Sequence, residues 1–353
     1  MKIFLSVYLC FLFTGCRPDA AMMTTDLPAK TEGVLRIAFG SCNKHNRPNR
    51  LWKHIIQSNP DVWVWLGDVI YADTKNMNRM ARKYQLQKNN PDYRELLKTV
   101  PVIGVWDDHD YGKNGAYKYY SRKKESQQLF LDFIDEPADS PRRKQEGIYA
   151  SYLYGNDGRQ VKIILLDERY FRDRKGENAS ILGESQWLWL EKELTNNPAQ
   201  VTLIGSSTQI VGRDHFHDCW AKFPKEEKRL FELIKQTGSK NIVVLAGDRH
   251  FGEISRFTDA PSGFPLYEIT SSGMTHSKSG FWQNLFYLER NRYCIEGPFY
   301  GINFGVVDID LEKNRIMFYV CNEYGKVQLK HEIHLSEIKP VDSSKTDWQY
   351  EQN

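Results

Sequence analysis

Apolar residues fall in short continuous runs separated by polar, glycine-marked turns. Such runs of five or six residues read as strands buried on both faces. They lie at residues 34–39, 62–66, 102–106, 161–166, 201–205, 242–246 and 266–270. Between them the period changes to that of amphipathic helices. Helical spacing covers 51–56, 77–99 with Pro91 opening a second part, 127–134, 185–194 and 225–235. In the last the apolar side carries Leu230, Phe231, Leu233 and Ile234. Residues 148–154 and 161–166 form a hairpin about Asn156-Asp157-Gly158, a sequence suited to a tight turn. After residue 303 three strands follow (304–309, 316–320, 327–333) with polar turns between them, as in an antiparallel meander. Strands and helices alternate first and strands dominate later. That order predicts one α/β domain with a mixed sheet.

The ends of the chain break this pattern. Lys2 precedes an apolar stretch at 3–13, long enough for a signal peptide and too short for a permanent span. Phe13-Thr14-Gly15-Cys16 then resembles a bacterial lipobox, with Phe13 where Leu is usual. The expectation is a lipoprotein leader at 1–16, a tether at 17–33, one domain at 34–338 and a polar tail at 339–353. Cys16 would carry a lipid anchor, placing the protein in the periplasm or at the surface of a bacterium. The bland alternative is an ordinary secretory leader with a chance Cys. Cys42, Cys219, Cys294 and Cys321 remain after the leader, at spacings that show no disulfide framework.

Bulk composition excludes more than it identifies. A net charge of +3 and one short basic run, Arg142-Arg143-Lys144, give no nucleic-acid-binding signal. The chain is expected to be monomeric. Aromatics reach 13%, enough to fill a large core and wall a pocket.

The chemistry sits where strands end. Open α/β sheets bind ligands outside the carboxyl ends of their strands. Leu66-Gly67-Asp68-Val69-Ile70-Tyr71 follows one strand, and Leu245-Ala246-Gly247-Asp248-Arg249-His250 another. Trp106-Asp107-Asp108-His109-Asp110 follows a third, and Gly40-Ser41-Cys42 the first. One Gly-Asp pair would be plain turn chemistry; its recurrence beside His points elsewhere. Carboxylates, two His, a thiol and a phenol form a metal-ligand inventory. Hard oxygen donors beside sulfur and phenol suggest two unlike metals, one a transition metal such as ferric iron, the other calcium, magnesium or manganese. Asn114, Ser206, Gln209 and His276 lie on nearby loops. His276, His215 and His217 read as structural or surface residues. No Gly-x-Ser-x-Gly elbow, P-loop or Gly-x-Gly-x-x-Gly occurs.

These four motifs, in their order along the chain, resemble the alkaline phosphatase D (PhoD-like) branch of the metallophosphatases. The resemblance runs from about Arg36 to His276 and includes the segment from Leu166 to Arg172. It implies a four-layer αββα sandwich with mixed sheets and a dinuclear centre of Fe(3+) and Ca(2+) between them. Cys42, Tyr71 and His250 would hold iron, and Asp68 would bridge. Asp108, with Asp248 and Asn114, would hold calcium. His109 would protonate the leaving group and Arg169 would bind a phosphate oxygen. A structural alternative pairs Arg169 with Asp167 or Asp173. The fourth motif departs from the family: Ser206-Ser207-Thr208-Gln209 has no His. The implied activity is hydrolysis of phosphate mono- or diesters by a metal-bound hydroxide. Alternatives are phospholipase D-like action on phospholipid head groups, a surface lipoprotein that binds a phosphorylated ligand without turnover, and a Cys–His hydrolase built on Cys42.

Overall fold

The computed structural model describes residues 25–156, 158–278 and 291–341. The leader, Cys16 and the tail beyond residue 341 lie outside them. Two seven-stranded sheets pack face to face. The first half of the chain supplies β2 (Leu35–Gly40), β3 (Val62–Leu66) and β4 (Val102–Val105), which run parallel. The meander β12 (Asn303–Asp310), β13 (Arg315–Asn322) and β14 (Lys326–His334) joins them edge to edge, β12 pairing antiparallel with β2. A short β1 (Thr25–Asp26) closes the edge on β14. The last residues of the expected tether therefore lie against the domain.

The second sheet runs in the order β11-β9-β10-β8-β7-β6-β5. Its strands are β5 (Ala150–Asn156), β6 (Arg159–Leu165), β7 (Val201–Ser206), β8 (Ile242–Ala246), β9 (Gly252–Phe257), β10 (Leu266–Ser271) and β11 (Cys294–Phe299). Strands β6, β7, β8 and β10 are parallel. The sequence reading contained neither β9 nor β11. In β9 the polar Glu253 and Ser255 are buried, so no apolar run marks the strand.

Period-two side chains explain the layering. Ile163, Leu165, Leu203, Val243 and Leu245 join the core shared with the first sheet. Their neighbours Ile164, Leu166, Ile204, Ile242 and Val244 face a second core instead, with Trp187, Leu190, Leu230 and Phe231. Those last four lie on α6 (Gly183–Thr195) and α7 (Pro224–Thr237), the outer layer on this side. On the other side α1 (Leu51–Gln57) sets Trp52 edge-on against Trp63 and Trp65, at 5.4 and 5.5 Å. Each fully buried side chain of this size stabilises by about 1.5–3 kcal/mol before chain entropy is counted. The expected split at Pro91 occurs. α2 (Met77–Lys88) ends and α3 (Pro91–Thr99) begins with Asn90 capping the amides of Asp92 and Tyr93. α4 (Asp108–Tyr111) is a single turn, and α5 (Lys123–Phe133) packs on α2. The outcome is the four-layer αββα sandwich, with β2, β3 and β4 ending against β6, β7, β8 and β10.

Candidate metal centre

Two glycines let the strand ends approach. A Cβ on Gly67 would lie 2.4 Å from Asp107 Cβ, and one on Gly247 would lie 2.5 Å from the carbonyl oxygen of Leu66. Only glycine fits such contacts. Gly67 joins the ends of β3 and β4; Gly247 joins the two sheets. The turns are then tied down. Asp110 accepts from the amides of Asp107 (2.6 Å) and Val69 (2.9 Å). The Asn43 amide donates to the carbonyl of Asp68 at 2.8 Å.

The backbone at these ends is strained. Cys42, Asp68, Asp73, Asp248 and His250 all have positive φ, between 45° and 63°. Non-glycine residues in this region cost about 1–3 kcal/mol each and persist where the surroundings over-determine them. Five of the nine such residues among those described cluster here.

The side chains form two ligand groups. Donor atoms of Cys42, Asp68 and His250 all lie within 4.8 Å of one another, and so do those of Asp68, Asp108 and His109. Asp68 belongs to both. Its Oδ1 is buried without a hydrogen-bond partner, as is Asp107 Oδ2. A buried carboxylate oxygen the protein leaves unmatched fits a cation. Charge says the same. Burial first, then the carboxylates of Asp108, Asp107, Asp110 and Asp248, push Asp68 well above the usual range. Burial and the neighbouring Asp107 push Asp248 up to about 7. Burial and Asp68 raise the Cys42 thiol. Acids and a thiol crowded in one buried place repel one another, and a cation among them removes that repulsion. The donor set therefore fits a metal pair. It disfavours a Cys–His hydrolase, because His250 is near but a nucleophilic thiol needs a lowered pKa.

The phenol of Tyr71 adjoins Asp68 and Cys42 and hydrogen-bonds with His250 Nε2 (3.3 Å) and His276 Nε2 (3.0 Å). His276 is thus part of the site, contrary to its reading as a structural or surface residue. It follows β10 by five residues, and only its place beyond a parallel strand end could have signalled it. His109 packs its ring against Tyr71 at 4.1 Å, and its Nδ1 meets Asp73 Oδ1 at 2.7 Å. Burial lowers its pKa, but Asp73 and Asp108 outweigh burial and the net shift is upward. Asp73 was not anticipated, although it stands in the Asp68 loop.

Not every expected ligand enters a group. Asp248 belongs to neither group of three, though it acts electrostatically on Asp68 and Cys42. Asn114 is exposed; its backbone amide donates to Asp73 at 3.0 Å. Arg169 is buried and pairs with Asp107 (2.6 Å) and Asp218 (3.3 Å), not with Asp167 or Asp173. Its Nη2 has no hydrogen-bond partner. The fourth motif turns inward instead: Ser207 donates to Asp107 at 2.7 Å, while Ser206 and Thr208 hold the buried Glu168.

A family model described as PhoD-like phosphatase matches residues 37–317, which span both sheets and both ligand groups. The chain belongs to the PhoD-like phosphatase family. It is a phosphoester hydrolase of a metal-dependent family. A solved structure of PhoD superposes with a TM-score of 0.69 at 17% identity, covering 90% of this chain and 73% of that one. GAP50, described as the anchor in the inner membrane complex of Plasmodium, superposes with a TM-score of 0.56 at 14% identity, covering 89% of this chain and 93% of that one. At such identities the likeness speaks for the fold alone. No curated protein matches the sequence. Among the described residues no helix is long and apolar enough to cross a membrane.

Proposed function

We propose an exported phosphoesterase that uses a dinuclear centre to hydrolyse phosphate mono- or diesters. The observation that carries this is Asp68, shared by two ligand groups with one buried oxygen unmatched. Cys42, His250 and Tyr71 are donors suited to Fe(3+), and Asp108 offers oxygen suited to Ca(2+). When bound, such a pair supplies Lewis acidity at phosphoryl oxygens and lowers the pKa of an attacking water. The chain's own residues do the rest. Asp73 holds His109 at Nδ1, which leaves Nε2 to give its proton to the departing oxygen. The hydrogen bond to Asp73 and the charge of Asp108 raise the His109 pKa against burial, which favours the protonated ring. Arg169 offers Nη2 to a non-bridging phosphoryl oxygen, where a charge-assisted hydrogen bond is strongest. A lipid anchor at Cys16 would place this centre at a membrane surface, and phospholipid head groups remain one class of diester to test.

The second reading is a binder without turnover. The partnerless Nη2 of Arg169 favours it, since a buried guanidinium can hold a phosphorylated ligand without any chemistry. The shared Asp68 and the Asp73–His109 pair weigh against it, because binding alone requires no proton donor. Elemental analysis of protein purified without added metal decides, followed by parallel monoester and diester assays on that sample. The expected result is two metals per chain and ester hydrolysis. Metals without hydrolysis of any phosphate ester would leave the binder.

A further inference from the structure

Beside the ligand groups lies an ionic cluster that they do not use, buried at Arg169 and Arg172 and reaching the surface at Lys175. Arg169 is 1% exposed. Its Nε donates to Asp107 Oδ1 at 2.6 Å and its Nη1 to Asp218 Oδ2 at 3.3 Å. The same Asp218 meets Arg172 Nη2 at 2.8 Å and Lys175 Nζ at 2.7 Å. Arg172 is itself buried, its guanidinium 4.7 Å from the centre of the Phe223 ring. Burial works to raise the Asp218 pKa, but Arg172, Arg169 and Lys175 together hold it well below the carboxylate range. The two buried cations, Arg169 and Arg172, are matched in number by Asp107 and Asp218, and Lys175 joins from an exposed position. What the cluster leaves open is one donor, the buried, partnerless Nη2 of Arg169. A buried donor without an acceptor is unfavourable unless a ligand supplies one.

A guanidinium is planar, so two anchors fix where its third nitrogen points. Asp107 anchors Nε from the end of β4. Asp218 anchors Nη1 from the loop after β7, which is pinned where the Trp220 amide donates to the Gln209 carbonyl at 3.0 Å. With Asp218 gone, the fork is free to close on Asp107 as a bidentate pair, and Nη2 is spent there. We propose that Asp218 is a positioning residue: it holds the Arg169 guanidinium so that Nη2 stays available to a phosphoryl oxygen, and it gathers Arg172 and Lys175 into the same anion-binding cluster. The proposal rests on the phosphoesterase reading for its natural ligand, but it can be tested with inorganic phosphate alone.

The experiment titrates inorganic phosphate calorimetrically into metal-loaded wild type, Asp218→Asn, Arg169→Lys and the double variant, with metal content and KM measured alongside. Each single variant is expected to keep its metals, weaken phosphate binding about tenfold and raise KM about as much, the loss of one charge-assisted hydrogen bond. The double variant is expected to lose little more than either single one, because both act through one contact. Should Asp218→Asn not fold, Asp218→Glu replaces it, with an expected loss of about threefold from the displaced carboxylate. Folded Asp218 variants that bind phosphate as wild type does would overturn the assignment, whatever their thermal stability. Fully additive losses would also overturn it. Wild type that binds phosphate yet hydrolyses no ester would remove the enzymatic reading and leave this one standing.

Discussion

Two sets of buried acids stand on these strands or just beyond them, and they differ in what meets their oxygens. Asp167 is one of the first set. Its Oδ1 accepts from the Trp106 indole (2.8 Å) and the amides of Arg169 (2.9 Å) and Tyr170 (3.0 Å), and its Oδ2 from the amide of Ile148 (2.8 Å). Glu268 accepts the amides of Ile210 (2.6 Å), Val211 (3.0 Å) and Gly212 (3.0 Å). These carboxylates organise loops, and the protein satisfies them by itself. Asp68 and Asp107 form the second set, each with an oxygen buried and unmatched, and of the two only Asp68 enters a donor group. Asp167 shares its residue type and strand-end position with Asp68 and Asp107, while Glu268 lies within β10. What separates a structural post from a ligand is whether the fold supplies the donors.

The largest effect should come from emptying the shared position. Asp68→Asn removes a charge that both ligand groups use, so both metals should be lost and turnover should fall by about three orders of magnitude or more. Elemental analysis and an ester assay check this. A variant with full metal occupancy would show that Asp68 is not shared between ions. His109→Ala comes next. As a proton donor it should keep both metals and lose about 10²–10⁴ in turnover, most of all for esters with poor leaving groups. Its place in the second ligand group sharpens the comparison. Loss of one metal in this variant would reassign His109 from acid to ligand.

The opposite substitution tests the satisfied set. Glu268→Ala leaves three buried amides without acceptors, at about 1–3 kcal/mol each. Urea denaturation should show a loss of about 3 kcal/mol or more, while the folded fraction keeps its metals. Loss of metal with stability unchanged would break the distinction between posts and ligands.

Much of this was legible because strands buried on both faces leave continuous apolar runs, and their ends locate Cys42, Asp68, Asp108 and His250. The resemblance, not the periodicity, supplied the two-sheet layering: alternation along β6 tells nothing of which layer Ile163 or Ile164 will meet. His276 and Asp73 were missed for a different reason. Both act from loops, at spacings that only the turn conformation converts into proximity. Nor does sequence separate Asp167 from Asp68. Each follows an apolar strand, and the Trp106 indole that satisfies Asp167 lies 61 positions away.

Glu227 is the case that tests the comparison most closely. It is buried on α7, its Oε2 3.2 Å from Arg213, and its Oε1 has no hydrogen-bond partner. By the criterion of unmatched oxygens alone it would count as a ligand, yet it enters neither donor group. The difference lies in its surroundings. Burial outweighs the attraction of Arg213 and raises its pKa from 4.5 to about 7, so around neutrality it is a half-protonated acid beside one cation and not a carboxylate among many. Because the folded pKa exceeds the unfolded one, the folded state binds the proton more tightly. The resulting stabilisation is complete below about pH 4.5 and is lost as pH rises through about 7. Glu227→Gln removes that proton linkage. Thermal unfolding of metal-free protein from pH 4.5 to 8 should show wild type losing more stability than the variant as pH rises, with metal content of the loaded proteins equal. The acids of the centre titrate alike in both proteins and cancel in the difference. Parallel curves would mean that folding leaves the Glu227 pKa where it is in the unfolded chain, and a buried, unmatched oxygen beside a single cation would then carry its charge without a metal.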